Sequence, residues 1–464
     1  MHTSSAGKQP DFLGGKIGPL LMSLAIPAIF AQLVNALYNI VDRIYIGRIP
    51  DVGEAALGGI GVSFPIIILI SATTALFGMG GAPLVSIKMG EKDQAGAERI
   101  LGNCFAALLG AGVLLMVVFM VVKRPVLWAF GARDPEILQY AMEYLGIYLW
   151  GTVFVMISLG MNSFINAQGF ARIGMATVGI GAVCNIILDP IFIFGFGMGV
   201  KGAATATVIS QLCSAIWALR FLFGPKTVLK IRRENLRPEW KLLMKVMALG
   251  FAPFVMQSTE SLIQVVFNNS LDIYGGKMYV SSMTILTACM QMASMPLQGL
   301  TQGAQPIIGY NYGAGRYDRV RTAVRWSLGC CLTLSISTCL LCTLGSHWVA
   351  AIFAEPGPLR DLAAYEMRIF MAGVGIFGVQ TACQNAFLAL GKAKVAICMA
   401  LLRKVVILIP LVLILPRFAG LGVQGVYIAE PVADILAATT TGILFSFTYR
   451  KLGRMEKGLE EGPV

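Results

Sequence analysis

Gln32, Asn35, Asn39 and Asp42 recur at intervals of three, four and three in an otherwise apolar stretch. At 100° per residue they share an arc of about 80° on a helix. Such a stripe offers amides for a polar cargo and ends in a carboxylate that takes up a proton or a metal cation. The plainer alternative is amides bonding to neighbouring helices, with Asp42 paired to the adjacent Arg43. Asn185 and Asp189 lie four apart and precede Pro190, which breaks a helix locally. A carboxylate, an amide oxygen and freed carbonyls make an oxygen cage suited to Na⁺, or to a proton on the carboxylate. Thr205 or Thr207 would add a hydroxyl, and a capping or pairing role for Asp189 is the alternative. Gln257, Glu260, Gln264 and Asn268 form a second stripe, again within about 80°. Glu430 and Asp434 stand at i, i+4 around Pro431, and Arg403 and Lys404 are their natural counter-charges. A structural Arg403–Glu430 or Arg403–Asp434 pair competes there with a transport role. Methionines 278, 283, 290, 292 and 295 accompany Gln291, a pattern that serves either an adaptable binding surface or plain core filling.

These groups sit in a chain that water would not hold. Of 464 residues, 56% are hydrophobic and 13% charged, with a mean hydropathy of +0.74. Apolar runs at 60–87, 101–122, 173–200 and 395–415 exceed the roughly 18 residues that span a bilayer. Polar groups at such depth are costly and mark function or helix–helix pairing. The ten cysteines lie in apolar stretches without metal-ligand spacing, and the two histidines, His2 and His347, exclude a histidine-built metal or catalytic site. Residues 1–18 are polar with no signal peptide, so the first helix is expected to serve as its own insertion signal.

Hydropathy predicts twelve helices: 19–46, 57–87, 99–122, 137–166, 173–195, 200–223, 241–272, 278–310, 321–346, 362–390, 394–416 and 421–449. With the N-terminus inside, the cytoplasmic tails and loops hold 24 of the 36 basic residues and the outer loops eight. That bias places both termini in the cytoplasm of an inner-membrane, multi-pass protein. The net charge of +12 then reflects cytoplasmic loops facing anionic lipid, not a nucleic-acid partner. The halves repeat: Gly197–Gly202 returns as Gly420–Gly425, Pro83 and Gly90 as Pro306 and Gly313, and Asn162 and Phe164 as Asn385 and Phe387, all 223 residues on. Gln32, Asn35 and Asn39 answer to Gln257, Glu260 and Gln264 at 225. The expected architecture is an all-α integral membrane protein of about twelve transmembrane helices, as two six-helix bundles in a parallel internal repeat. The parts are a cytoplasmic tail (1–18), a first bundle (19–224), a basic linker (225–240), a second bundle (241–449) and a tail (450–464). Two bundles with a cleft between them suit alternating access.

Pro27, Gln32 and the run from Asn39 to Gly47, with Asn185 to Pro190 and Glu430 to Asp434, resemble the multidrug and toxic compound extrusion (MATE) family, in its MepA-like and DinF-like bacterial branch. The resemblance covers essentially the whole chain. It implies a monomeric antiporter that exports organic, often cationic, drugs against Na⁺ or H⁺, with no other cofactor. It carries the coupling site to Asp42, Asn185, Asp189 and Thr207, where Na⁺ would be held, and makes Pro27 a hinge. The remaining polar positions (Gln32, Asn35, Asn39, Asn162, Gln257, Glu260, Gln264, Gln291, Gln384 and Glu430) become candidates for the cargo cleft, with Arg403 and Asp434 as a structural ion pair. Another branch of the family couples through acids on the seventh and tenth helices. Glu260 matches the first, but the tenth helix is read as offering Gln380, Gln384 and Asn385 with no acid. A lipid-linked precursor flippase of the same superfamily is the rival reading. It calls for cationic residues lining the cleft, where this chain has mainly Arg403 and Lys404. An intramembrane enzyme would need an HExxH or GxSxG motif inside a helix, and the sequence has none.

Overall fold

The computed structural model describes residues 10–50, 52–130, 133–418 and 420–459. Residues 1–9 and 460–464 of the expected tails lie outside the described residues. With no water in the hydrocarbon layer to satisfy backbone amides, an apolar chain of this kind must close its hydrogen bonds within helices. Among the described residues there is no strand.

In the first half the helices are α1 (Ile17–Gly47), α2 (Gly53–Gly90), α3 (Gln94–Ala129), α4 (Pro135–Tyr148), α5 (Thr152–Ala167), α6 (Ala171–Pro190) and α7 (Val200–Leu222). A 3₁₀ turn (Leu149–Gly151) fuses α4 and α5 into one span, and a wide π turn (Ile191–Gly195) prolongs α6 beyond Pro190. The second half runs α8 (Trp240–Gly275), α9 (Lys277–Gly313), α10 (Tyr317–Leu344), the short α11 (Ser346–Phe353), α12 (Pro358–Phe370), α13 (Val374–Ala389), α14 (Ala393–Leu401), α15 (Ile409–Ile414) and α16 (Val423–Glu456). Again a 3₁₀ turn (Met371–Gly373) fuses α12 and α13, and a π turn (Leu402–Leu408) lies between α14 and α15. Counted as continuous runs, these make the twelve expected spans. Among the described residues, eleven are long and apolar enough to cross a membrane. The twelfth, α9, is longer than most but carries Gln291, Gln298, Gln302, Gln305 and Asn311. The tenth span begins at Pro358 and carries Glu366, so the reading of a tenth helix without an acid is corrected.

The repeat extends to the backbone. Gly197 and Gly199 hold φ of +63° and +54°, and Gly420 and Gly422, 223 residues later, hold +70° and +51°. A side chain would strain both corners, which is why the glycine motif recurs. The outer surface is inverted relative to a soluble protein: Leu114, Val117 and Val121 of α3 are 62%, 52% and 77% exposed. This is the surface of a multi-pass membrane protein.

Contacts divide the chain into two compact units. One is built on Phe30–Gln257, the other on Phe12–Ile29 together with the chain from Ser258 onward. The division thus falls inside α1 and α8, whereas the sequence boundaries lay in the loop before α8. Glycine explains where each half helix packs. In the second unit, a Cβ on Gly299 or Gly303 would come within 2.6 Å of the α1 backbone at Ile29 or Ala25. In the first, a Cβ on Gly80 would meet the backbone of Gly250 on α8 at 2.8 Å. Missing side chains let helix backbones touch in lipid.

The basic linker is tied down within the first unit. Gln168 Oε1 accepts from Thr227 Oγ1 at 2.9 Å and from the Val228 and Leu229 amides at 3.0 Å each. The Asn103 amide donates to Asn235 O at 3.2 Å, and its oxygen accepts from Glu239 N at 2.6 Å. Arg232 pairs with the buried Glu98 at 2.6 Å, so this base serves the fold as well as the loop's charge.

Candidate functional site

The first unit gathers its acids at one point. Pro190 has no N–H to return to the α6 ladder, and the helix widens into the π turn directly after Asp189. Asn185 and Asp189, one turn apart, are 1% and 0% exposed. Asn185 Nδ2 donates to Asp189 Oδ1 at 3.2 Å and to Thr207 Oγ1 on α7 at 3.4 Å. Thr207 spends its own proton on Ala203 O at 3.0 Å, leaving its oxygen free to accept. Of the two hydroxyls left open by the sequence, Thr205 bonds Lys201 O instead and does not reach Asn185. From α1 the Asp42 carboxyl comes within hydrogen-bond reach of the Asp189 carboxyl. Two carboxylates in contact cannot both stay ionised without a cation between them or a shared proton.

Three oxygens here are buried and lack a hydrogen-bond partner: Asp42 Oδ1, Asn185 Oδ1 and Asp189 Oδ2. Orphaned acceptors are expensive, and a monovalent cation or a proton would satisfy them. No base does. Arg43, the alternative partner of Asp42, lies over the Phe64 ring at 5.4 Å. Among the described residues, no group of three or more His, Cys, Asp or Glu side chains converges as a transition-metal site would require. The four predicted ligands, Asp42, Asn185, Asp189 and Thr207, thus sit together, and their donors fit Na⁺ or H⁺.

A small, partly open cavity adjoins them, lined in part by Asn35, Asn162, Thr177, Asn185, Thr207 and Gln211. Asn162 Oδ1 is another partnerless acceptor, and Gln211 Oε1 accepts from Ser158 Oγ at 2.7 Å. From the predicted stripe, Asn35 reaches this cavity, while Gln32 is not in its lining and Asn39 turns back to Asn35 O at 2.7 Å. Three tyrosines complete the surroundings, and sequence reasoning missed them. Tyr38 lies one turn before Asp42 and within its electrostatic reach. Tyr144 reaches Thr207, and its ring stacks with that of Tyr148 at 5.8 Å. Their i, i+4 spacings to Asp42 and to each other were the available signal.

The predicted residues of the second unit do something else. Arg403, 6% exposed, donates to Glu430 Oε1 at 2.9 Å and to Asp434 Oδ1 at 2.7 Å, so both candidate pairs form at once. Its guanidinium also lies over the Phe377 ring at 4.6 Å. Lys404, beside it on the π turn, pairs with Glu260. Gln264 and Gln291 are exposed on their unit, whereas Gln384 is buried. Met283 is core at 2% exposure, while Met278 and Met292 are exposed at 45% and 60%. The methionines therefore divide between the two roles considered. Pro27 is enclosed within α1, just before the point where that helix passes from one unit to the other.

Comparison with known proteins bears on the whole chain. The family model described as MatE matches residues 27–191 and 253–414, once in each half. The multidrug export protein MepA of Staphylococcus aureus is 26% identical over 420 residues, 90% of this chain and 91% of that protein. The MepA protein of Staphylococcus saprophyticus is 24% identical over 90% of this chain and 92% of its own length. Among solved structures, MATE in complex with MaD3S superposes with a TM-score of 0.90 at 22% identity, covering 97% of this chain and all of that one. A transporter of the MOP superfamily from Pyrococcus furiosus, described by the reverse polarity of its binding pocket, gives 0.89 at 21% identity over 97% of this chain and 100% of that one. At these identities the solved structures speak for the fold.

Proposed function

The chain belongs to the MatE family of transporters, and from that premise we propose that it is a multidrug efflux antiporter exchanging organic cations for Na⁺ or H⁺. One observation carries the reading: Asp42 and Asp189 lie in contact inside the membrane-spanning part of the first unit, with three acceptor oxygens unpartnered and no base paired to them. An acidic centre with no cation of its own must borrow one. Either the coupling ion or a cationic cargo supplies it, and competition for one negative centre is the basis of exchange. The ion's affinity must differ between conformations for its gradient to do work. We assign that difference to movement of α1 about Pro27, which brings Asp42 to Asp189 in one state and withdraws it in the other. Asn35, Asn162, Thr177 and Gln211 offer the adjoining cargo a polar wall. The flippase alternative needs free bases for a pyrophosphate, and Arg403 and Lys404 are already paired with acids.

The test is ethidium or norfloxacin efflux from cells expressing Asp42→Asn or Asp189→Asn at parental levels. Each change is expected to lower efflux at least about tenfold, the rate equivalent of about 1.4 kcal/mol. Parental efflux in both variants would overturn the assignment. Vesicles under an imposed Na⁺ gradient or an imposed pH gradient then identify the coupling ion.

A further inference from the structure

Asp42 stands near the end of α1, and the start of that helix is held by another part of the chain. Phe12–Ile29, the foot of α1 and the turn before it, pack in the second unit, whereas Phe30 onward belongs to the first. Arg319 on α10 fixes that turn. Its Nε donates to Phe12 O at 3.2 Å and to Asn311 Oδ1 at 3.1 Å. Its Nη2 donates to Phe12 O at 2.9 Å and to Gly15 O at 2.7 Å. Asn311 is fully buried and donates to Ile307 O at 2.8 Å, so it offers the guanidinium a fixed oxygen. Phe12, 2% exposed, stacks on the Tyr310 ring at 4.9 Å. A Cβ on Gly18 would come within 3.1 Å of the Trp326 ring. Residues 12–16 are not helical and have no ladder of their own. A planar fork of N–H donors suits the capture of two of their carbonyls.

The duplicated frame holds a second helix in the same way. α8 also begins in one unit and passes to the other, after Gln257. Arg99 Nη2 on α3 donates to both carboxylate oxygens of Glu239, the residue before α8, at 2.8 and 2.7 Å. Asn103 Oδ1 accepts from Glu239 N at 2.6 Å. Each helix carries a proline shortly before it changes unit, Pro27 before Phe30 and Pro253 before Ser258. The anchors themselves are not copies: Gly96 stands 223 positions before Arg319, and Thr322 stands 223 after Arg99. Two unrelated arginines thus meet one need, to fix the foot of a helix whose head lies elsewhere.

We propose that Arg319 is a positioning residue for the Asp42–Asp189 centre: it pins the foot of α1, so that the head moves about Pro27. The role rests on the antiporter reading above. Pro27 returns no N–H to the ladder, which leaves α1 weakest at that point. With the foot pinned, any displacement of Asp42 is taken up there. With the foot released, the helix shifts as a whole and Asp42 loses its defined place against Asp189. Arg319 touches neither ion nor cargo, so the chemistry of the centre stays intact while its affinity for the ion falls.

The test is ethidium efflux from proteoliposomes across a series of imposed Na⁺ gradients and a series of imposed pH gradients. Arg319→Ala should raise the half-saturating concentration of the driving ion about fivefold, as the loss of one or two net hydrogen bonds implies, with the maximal rate near parental. Arg319→Lys, which keeps the charge without the fork, should shift it less. Phe12→Ala loosens the same foot with Arg319 in place and should shift it in the same direction, so it decides the matter if Arg319→Ala does not fold. Arg99→Ala, which frees the foot of α8, should leave the ion dependence unchanged. A merely structural Arg319 would lower the unfolding midpoint and leave the half-saturating concentration where it was. That result, or an equal shift with Arg99→Ala, would overturn the proposal while loss of efflux in Asp42→Asn upholds the antiporter reading. Parental efflux in Asp42→Asn would overturn that reading and this role with it.

Discussion

One place in the duplicated frame is built in opposite ways by the two units. In the first, Asn35, Gly181, Thr207 and Gln211 help line the cavity beside Asp189. Shifted by 225 for α1 and 223 elsewhere, those positions become Glu260, Lys404, Glu430 and Asp434. The second unit thus fills with a charge network, buried except at the exposed Glu260 and joined by Arg403, the region that the first leaves open and polar. Acids with bases beside them hold structure together, because each charge answers another and none is left for a visitor. Acids without bases, as at Asp42 and Asp189, keep an unmet demand for a cation. Under the proposed function, the same fold supplies one half with a site and the other with a brace.

Arg403→Leu should break the brace with the largest effect on stability. Glu430 and Asp434, 6% and 0% exposed, would lose their cation, and removing one partner of a buried ionic network costs about 3–5 kcal/mol. The unfolding midpoint of detergent-purified protein measures it, and a loss below about 1 kcal/mol would erase the contrast. Arg43→Leu in the first unit should cost about 0.5–1 kcal/mol, because that base lies over an aromatic ring and forms no ion pair among the described residues. Asp42→Asn and Asp189→Asn complete the comparison. Both should unfold no earlier than the parent, since an unpaired buried charge is relieved, even though efflux is lost. Early unfolding of these two would make them structural, like their counterparts across the repeat.

A smaller effect separates two neighbours on α7. Thr207→Ala removes an oxygen next to Asn185 and should weaken the ion dependence of efflux about fivefold, the equivalent of about 1 kcal/mol for one hydrogen-bonding group. Thr205→Ala, whose hydroxyl returns to Lys201 O, should leave it unchanged. Equal responses would show that the hydroxyl next to Asn185 has no special part.

The frame was legible because lipid permits so few alternatives. Long apolar runs, proline positions and the 223-residue offset sufficed to place twelve spans. The acids were legible for the same reason, since Asp42 and Asp189 have no cheap explanation at that depth. Tyr38, Tyr144 and Tyr148 escaped notice because a tyrosine in an apolar helix looks the same whether it meets lipid, core or a carboxylate. Glu366 lies inside the expected span 362–390 and was overlooked beside the amides Gln380, Gln384 and Asn385. The pinning of the linker depends on Gln168 and Asn103, whose bonding partners lie 59 to 136 residues away. No local pattern reveals such partners. That α1 and α8 each divide between units was hidden too, because helical periodicity continues unbroken across the division.

A comparably small effect lies at the turn after α2, which the second unit repeats after α9. Lys92 holds φ at +62°, and Gly315, 223 residues on, holds +69°. Glycine adopts that conformation freely, whereas a side chain there costs about 1 kcal/mol. The first unit compensates one residue later: Asp93 caps α3 by accepting from Gly96 N at 2.8 Å, while its counterpart Arg316 provides no side-chain cap for α10. The Gly96 amide, with Lys88 beside it, holds the Asp93 carboxyl below the ordinary carboxylate range. Its lowered value means that the stabilisation is complete above the ordinary range and fades as pH falls through the folded value. Asp93→Ala should therefore cost about 1 kcal/mol near neutral pH and progressively less in acid. Arg316→Ala at the matching position should cost less at neutral pH, because no cap is lost there. A cost of Asp93→Ala that stays constant from pH 7 to pH 3 would mean that the two turns do not differ by a charged cap.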